Sequence, residues 1–423
     1  MNLRGLDTPS APTNGTYAAD VPRVLVITAH RWLTTTRLAL ALFEAGFTVE
    51  ALCPTGHSLG RVSFVSKTYP YRALSPIRSL RDAIEASQPD LLIPSDDYSV
   101  ARLHQLYALT QRTYVAADDL RSLIERSLGD PEHYPILYAR DQIASLARSL
   151  GVICPASAIV SNEEDLLLKL NSIGFPAVLK TDGSWGGEGV AIVHDLANAK
   201  RAFRKLDAPP SSVRMLKRLI IDRDANLVIP SLSRLHPSIS IQRFVEGKPA
   251  NAAVACCRGE VLAQVIVEVL ATRYANGPAT VVNLITHPGI SQTVELVSRR
   301  LKLSGLCGFD FILDPNGNAH MIELNPRATP TCHLVSSDGK QLLVSLAAMS
   351  RRLPDVGNHG VPVYGPIALF PHGIGYDPKS SYLPRSQNDL PWQSPELLNI
   401  GFRSKESFLT RFIRSCVKRS DLV

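Results

Sequence analysis

The sequence predicts an α/β (α+β) protein in which a parallel sheet comes first and antiparallel strand pairs follow. Three observations carry this. The first hundred residues alternate short, wholly apolar runs with helical patterns, the signature of βαβ units. Two later apolar stretches, Ala252 to Cys257 and Val261 to Val269, flank the turn Arg258-Gly259-Glu260 and read as a hairpin. A second hairpin is predicted around Asn316-Gly317, because both residues tolerate the positive φ that a two-residue turn requires.

In chain order, residues 1–20 are rich in Thr, Pro, Ala and Asn without periodicity, and a disordered leader is expected. Val24 to Ile27 is a buried-strand run, followed by a helix through Leu38, Leu42 and Phe43 that stops at Gly46. A strand from Phe47 to Leu52, a helix from Leu80 to Ala86 and a third strand from Asp90 to Pro94 complete the unit. The turn Thr28 to Thr36 contains no glycine, so it lacks the cradle that dinucleotide-binding folds use for pyrophosphate. Ser95-Asp96-Asp97 follows a strand end, where it reads either as ligand groups or as a helix cap.

A helical pattern resumes at Ala117, and Leu137 to Gly151 is expected to be a helix with the strand Val152 to Pro155 after it. Asn162-Glu163-Glu164-Asp165 has the composition of a helix start. Phe175 to Lys180 is then a short strand ending in a lysine. Its successor, Thr181 to Gly189, holds four glycines in seven residues before the strand Val190 to Val193. Such a loop lets backbone amides approach phosphate oxygens, although glycine loops are also ordinary turn punctuation. Ile239 to Val245 is a strand, Gln292 to Leu303 an amphipathic helix and Lys340 to Met349 a further helix. Beyond Leu353 the chain is Pro- and Gly-rich, and Lys405 to Lys418 is expected to form a basic amphipathic helix.

The second hairpin is the most informative stretch. Pairing through Asn316-Gly317 sets Asp310 opposite Glu323, Phe311 opposite Ile322 and Leu313 opposite His320. Asp310, Ile312, Met321, Glu323 and Asn325 then share one face, while Phe309, Phe311, Leu313, Ile322 and Leu324 form the core face. Two carboxylates directly opposed repel, with Cβ atoms about 4.5–5.5 Å apart. Either they are solvated, or a cation sits between them; two carboxylates and an amide oxygen suit Mg²⁺ beside phosphates.

With 423 residues, 45% hydrophobic and 20% charged, the composition is that of a folded protein of two or three domains. The net charge of +7 suits anionic substrates, and much of the excess lies after residue 400. Seven cysteines lack any zinc-type spacing, and neither a signal peptide nor a membrane span is expected. A reduced, cytoplasmic chain follows.

The order of these pieces resembles the ATP-grasp superfamily from about Val21 to about Met349. The resemblance implies an N-terminal parallel-sheet pre-ATP-grasp domain (21–118) followed by a two-lobed ATP-grasp domain (119–350). The lid of the latter lies at about 155–245, its antiparallel core at about 246–350, and a loop-rich appendage closes the chain (351–423). It also implies ATP and Mg²⁺ (or Mn²⁺) as cofactors and a reaction joining a small-molecule carboxylate to an amine. Lys180 and Gly186, Gly187 and Gly189 are similar to the phosphate-binding lysine and loop. Gln242, Arg243, Phe244, Val245 and Glu246 resemble the hinge strand that reads adenine and ribose; Asp310, Glu323 and Asn325 resemble the metal set. Arg327 resembles the arginine that steadies the transferred phosphoryl group or the substrate carboxylate. Two residues depart from the pattern: Arg140 stands where a lysine is usual, and Arg243 where an acid is common. Arg140 keeps a positive charge for the phosphates.

His287, Arg273 and the Gly277-Pro278 turn are placed near the acceptor by the same resemblance. No nucleic-acid partner is expected, a homodimer is allowed, and the alternative is an ATP-binding scaffold of the same fold without turnover. Binding of nucleic acid or an anionic membrane through the basic C-terminal segment is a third reading.

Overall fold

The computed structural model describes residues 21–111, 118–181, 189–208, 238–274, 277–350, 365–373 and 387–404. The leader, Gly186 and Gly187, and the basic segment from Lys405 onward lie outside them. Among the described residues the strands form three sheets.

The first sheet is parallel, in the order β3-β2-β1-β4, with β1 Arg23–Ile27, β2 Thr48–Cys53, β3 Val65–Pro70 and β4 Leu91–Pro94. Helices α1 (Leu33–Glu44), α2 (Pro76–Ser87), α3 (Asp97–Thr110) and α4 (Asp118–Leu128) accompany it. Strand β3 is an addition to the sequence reading. Its run VSKTYP is half-exposed to exposed, lies at the sheet edge and ends in proline, so it has neither the apolar content nor the interior position that betrays a strand.

Helix α5 spans Arg140–Ser149, three residues shorter at its start than expected, because Ile136–Tyr138 is a separate 3₁₀ turn. Val152 to Pro155 is not a strand; β5 is Ser157–Val160. The second sheet runs β5-β8-β6-β7, with β6 Ala177–Thr181, β7 Val190–Val193 and β8 Ile239–Arg243, all paired antiparallel. Helices α6 (Glu163–Ile173), capped by the Asn162 side chain, and α7 (Leu196–Asp207) cover it. It has its own apolar core of Leu166, Leu170, Leu179, Phe203 and Ile241, among others. The second sheet is therefore a separately packed body.

The third sheet has the order β13-β12-β9-β10-β11-β14-β15. Its strands are β9 Lys248–Cys257, β10 Glu260–Thr272, β11 Ala279–Leu284, β12 Gly305–Leu313, β13 Ala319–Asn325, β14 Pro366–Ala368 and β15 Gln387–Asn388. Only the terminal β14–β15 pair is parallel. The Pro- and Gly-rich region thus contributes two short strands that its composition does not announce. Helix α8 (Pro288–Leu301), the short α9 (Leu342–Ser345) and α10 (Pro395–Ser404) complete the described elements.

The first and third sheets share their cores. Val24 and Val26 pack in one cluster with Ala253, Ala255 and Val265, while Leu25 and Ile27 pack in another with Val254, Phe309 and Phe311. Alternate residues of β1 and of β9 thus point into two apolar layers, as a sheet covered on both faces requires.

The hairpin β12–β13 keeps Asp310 opposite Glu323, but a β-bulge follows, and Phe311 pairs with Met321, Ile312 with His320 and Leu313 with Ala319. The expected partners of Phe311 (Ile322) and Leu313 (His320) are corrected accordingly. The connection is not a two-residue turn. Asp314 accepts bonds from the Asn316 and Asn318 amides, the Asn318 side chain and His320 Nε2, which fixes a wider loop. The bulge absorbs one residue on β13, so Met321 turns to the core and Ile322 stays half-buried.

Gly305 sits at φ +78, where an added Cβ would fall 2.1 Å from the Ser127 carbonyl of α4. Gly317, at φ +82, would meet nothing. Gly305→Ala is therefore expected to lower the unfolding free energy by at least about 2 kcal/mol in a urea titration, against about 1 kcal/mol for Gly317→Ala.

Candidate functional site

The register that survives the bulge brings four polar side chains together on one face of the third sheet. Asp310 on β12 faces Glu323 on β13, and on its other side it pairs with Asn251 of β9. Asn251 Nδ2 donates to Asp310 Oδ1, and Asn325 Nδ2 donates to Asp310 Oδ2 at 3.0 Å. Even with both amides the carboxyl is pushed up to about 6, first by burial and then by the Glu323 charge. The ionised form of Asp310 is thus held at a cost that the two amides do not remove. A cation bound by Asp310, Glu323 and the Asn325 amide oxygen would correct that, so this donor set fits a hard divalent ion.

Cationic groups ring the pair. Arg140, the first residue of α5, donates from Nη2 to Glu323 Oε1 at 2.8 Å. The swap for lysine thus places a guanidinium directly on a carboxylate of the expected metal set. Lys180, near the end of β6, is buried and donates to Gln242 Oε1 of β8 at 2.7 Å. Its ammonium is lowered to about 8, chiefly by burial; Glu323 and Asp310 oppose the shift, and Arg140 adds to it. The second sheet therefore holds a buried lysine within electrostatic reach of the hairpin carboxylates.

Arg327 follows β13 through Asn325-Pro326. The Ala328 amide donates to the Pro94 carbonyl at 3.0 Å, which pins this segment against the end of parallel strand β4. Arg327 Nε donates to Asp97 Oδ1 at 2.9 Å and Nη2 to Asn325 Oδ1 at 3.2 Å. Asp97 is in the first turn of α3, whereas its neighbour Asp96 is the helix cap and accepts from the Ser99 amide. The helix-cap reading of Ser95-Asp96-Asp97 thus holds for Asp96, while Asp97 pairs with Arg327.

The expected hinge strand is mixed. The Gln242 side chain serves Lys180, and the Arg243 guanidinium turns away to donate to the Ile173 carbonyl at 3.2 Å. Phe244 and Val245 are half-buried, and Glu246 is exposed. The following Gly247, at φ +156, passes so close to β12 that an added Cβ would lie 2.1 Å from Leu313 O. Gly189 closes the glycine loop, its carbonyl accepting from the Thr181 amide. His287 caps α8 through Nδ1 and holds the hairpin tip, Nε2 lying 3.0 Å from Gly317 O, and Arg273 N donates to Pro278 O across the β10–β11 turn. His287 is thus engaged as a clamp on the hairpin loop.

Asn251 is the participant that the sequence alone does not place, and for Asp97, read there as a ligand group or a helix cap, it does not indicate the partner Arg327. Asn251 lies on a strand that reaches Asp310 only through a long-range pairing, and nothing in its local sequence marks it.

A profile of the ATP-grasp domain matches residues 222–331. Among curated proteins, the chain is 26% identical over 250 residues to the arginine-specific large chain of carbamoyl phosphate synthase from Bacillus subtilis, covering 55% of this chain and 21% of that one. It is 27% identical over 246 residues to the C-terminal section of the Methanopyrus kandleri large chain, covering 55% and 41%. The chain thus spans a fifth to two fifths of the length of these relatives.

Among solved structures, the biotin carboxylase domain of Hydrogenobacter thermophilus 2-oxoglutarate carboxylase is similar at TM-score 0.57 and 15% identity, over 82% of this chain and 74% of that one. Staphylococcus aureus N5-carboxyaminoimidazole synthetase is similar at TM-score 0.54 and 14% identity, over 81% of each chain. An L-amino acid ligase from Bacillus licheniformis gives 0.51 and 12%, over 78% and 74%. At these identities the structures speak for the fold. The matched ATP-grasp profile takes in Asp310, Glu323, Asn325 and Arg327, and the likeness in fold extends along most of the chain, so this protein is similar to ATP-grasp proteins in both its site segment and its architecture.

Proposed function

We propose that the chain is an ATP-dependent ligase that activates a small-molecule carboxylate as an acyl phosphate for attack by an amine. One observation carries the reading: a buried lysine of the second sheet lies within electrostatic reach of an opposed carboxylate pair of the third, with Arg140 on Glu323 and Arg327 on Asn325. In this reading the second sheet is the lid, and Mg-ATP lies between it and the antiparallel sheet. The relatives named above support it, and so does the fit of the donor set to a hard cation.

Asp310, Glu323 and Asn325 would hold Mg²⁺ or Mn²⁺. When bound, the ion supplies neutralising charge to the phosphate oxygens. Lys180 and Arg140 would balance the charge that spreads over the transferred phosphoryl group, and Arg327 would orient the attacking carboxylate. The carboxylate oxygen bonds to the γ-phosphorus as the bond to ADP breaks. The amine then attacks the acyl carbon, phosphate leaves, and the amine's proton passes to water or phosphate. Such chemistry asks for positioning and water exclusion rather than for a nucleophilic side chain.

Three outcomes are expected. Glu323→Ala abolishes substrate-stimulated ADP release, read in a coupled assay, while its circular dichroism remains that of the parent; normal turnover by this variant would defeat the assignment. Lys180 must be charged to hold phosphate, and its ammonium titrates near 8. Calorimetric Mg-ATP affinity should therefore weaken by roughly tenfold per pH unit above that value, and Lys180→Arg should flatten the profile.

The third outcome concerns Asp310, whose folded-state carboxyl titrates near 6, above its ordinary value. Its ionised form thus destabilises the fold at neutral pH, and that cost shrinks as pH falls from about 6 toward the ordinary carboxylate value, or when a cation binds. Mn²⁺ is accordingly expected to raise the melting temperature at pH 7.5, with the shift lost below pH 6; a pH-independent shift would place the ion elsewhere.

A further inference from the structure

The Arg327 guanidinium is held at three points: by Asp97 at 2.9 Å, by the Asn325 amide oxygen at 3.2 Å and, more weakly, by the Ala328 carbonyl at 3.4 Å. A guanidinium carries five N–H groups. Two therefore have no protein acceptor among the described residues, although the side chain is only 14% exposed. Asp97 is the reverse case. One oxygen accepts from Arg327, the other has no protein donor among the described residues, and the side chain is 46% exposed.

The pair thus presents spare donors and a spare acceptor side by side, at the end of β4 and beside Asn325. Backbone bonds on both flanks hold it there: Ala328 N to Pro94 O at 3.0 Å, and the start of α3 through Asp96 to the Ser99 amide at 2.8 Å.

A simple carboxylate arriving at Arg327 would satisfy the free N–H groups but would face the Asp97 carboxylate, and like charges in a partly desolvated site discriminate against such a ligand. A ligand that also carries an ammonium two bonds from its carboxylate reverses the sign. Its carboxylate takes the spare N–H groups and its ammonium takes the spare Asp97 oxygen. We propose, resting on the ligase reading above, that the carboxylate substrate is an α-amino acid, with Arg327 receiving its carboxylate and Asp97 its ammonium. Asp97 is on this account a specificity determinant. It holds the α-amino group in its charged, non-nucleophilic form while the carboxylate of the same molecule is phosphorylated, so the amine that attacks belongs to a second molecule.

The test uses the full chain with Mg-ATP and hydroxylamine as the nucleophile, which displaces phosphate from an acyl phosphate and leaves a hydroxamate. ADP release and hydroxamate are measured with each of the twenty amino acids, with the des-amino acids of the same side chains, and with bicarbonate. At least one amino acid should exceed its des-amino partner by about tenfold or more in kcat/KM. Asp97→Asn should raise KM for that amino acid by about tenfold while kcat stays within about threefold, and should leave the des-amino acid unchanged or improved. A role of Asp97 in stability alone would change both substrates equally.

Turnover of des-amino acids or bicarbonate at the rate of amino acids overturns the proposal and leaves the ligase reading standing. ADP release with none of these overturns both. The comparison of substrates on the unaltered protein decides the matter if the variant does not fold.

Discussion

The repulsion between Asp310 and Glu323 is the constraint that the surrounding structure answers. Strand pairing holds them opposite each other, and partial burial limits the water that would screen them. Raising a carboxyl from near 4 to about 6 corresponds to a cost of on the order of 3 kcal/mol for the ionised form. Two amides on Asp310 and one guanidinium on Glu323 offset part of it. The fold keeps the remainder as an affinity for positive charge.

That affinity is useful only if the pair is held at fixed distance from the other groups, and here the shared cores matter. Because β1 and β9 send alternate residues into the same two apolar layers, the parallel and antiparallel sheets form one rigid packing unit. Asp96, fully buried, fastens the strand ends of the first sheet by accepting from Thr28 Oγ1, the Ala29 amide and Ser99. The bond from Ala328 to Pro94 then carries the Asn-Pro-Arg segment onto those strand ends. Asp97 and Arg327, 230 residues apart in the chain, meet as a consequence.

The second sheet stands apart in this scheme. It has its own core and approaches the hairpin through polar groups, Lys180 above all. A separately packed body bearing that lysine can change its distance from the carboxylates without disturbing either apolar layer. The desolvation that depresses the Lys180 ammonium is therefore tied to how closely the two bodies approach.

The sequence by itself determined the order of sheet types, the hairpin with its opposed carboxylates, the lysine strand before the glycine loop, and the likeness to the ATP-grasp superfamily. These rest on short-range signals: apolar runs, alternation by twos, and turn residues at fixed offsets. Even there the β13 bulge moved Met321 into the core, because packing beneath the strand outweighed the symmetric pairing that a two-residue turn would give. The edge strand β3 was hidden because an edge needs little apolar content, and β14 and β15 because they span only three and two residues. Tertiary structure alone decided that Asn251 supports Asp310, that Gln242 holds Lys180, that Arg140 sits on Glu323, and that Arg327 finds Asp97. Each of these contacts joins residues that local pattern leaves independent, and only the stacking of sheets fixes which polar groups are left facing one another.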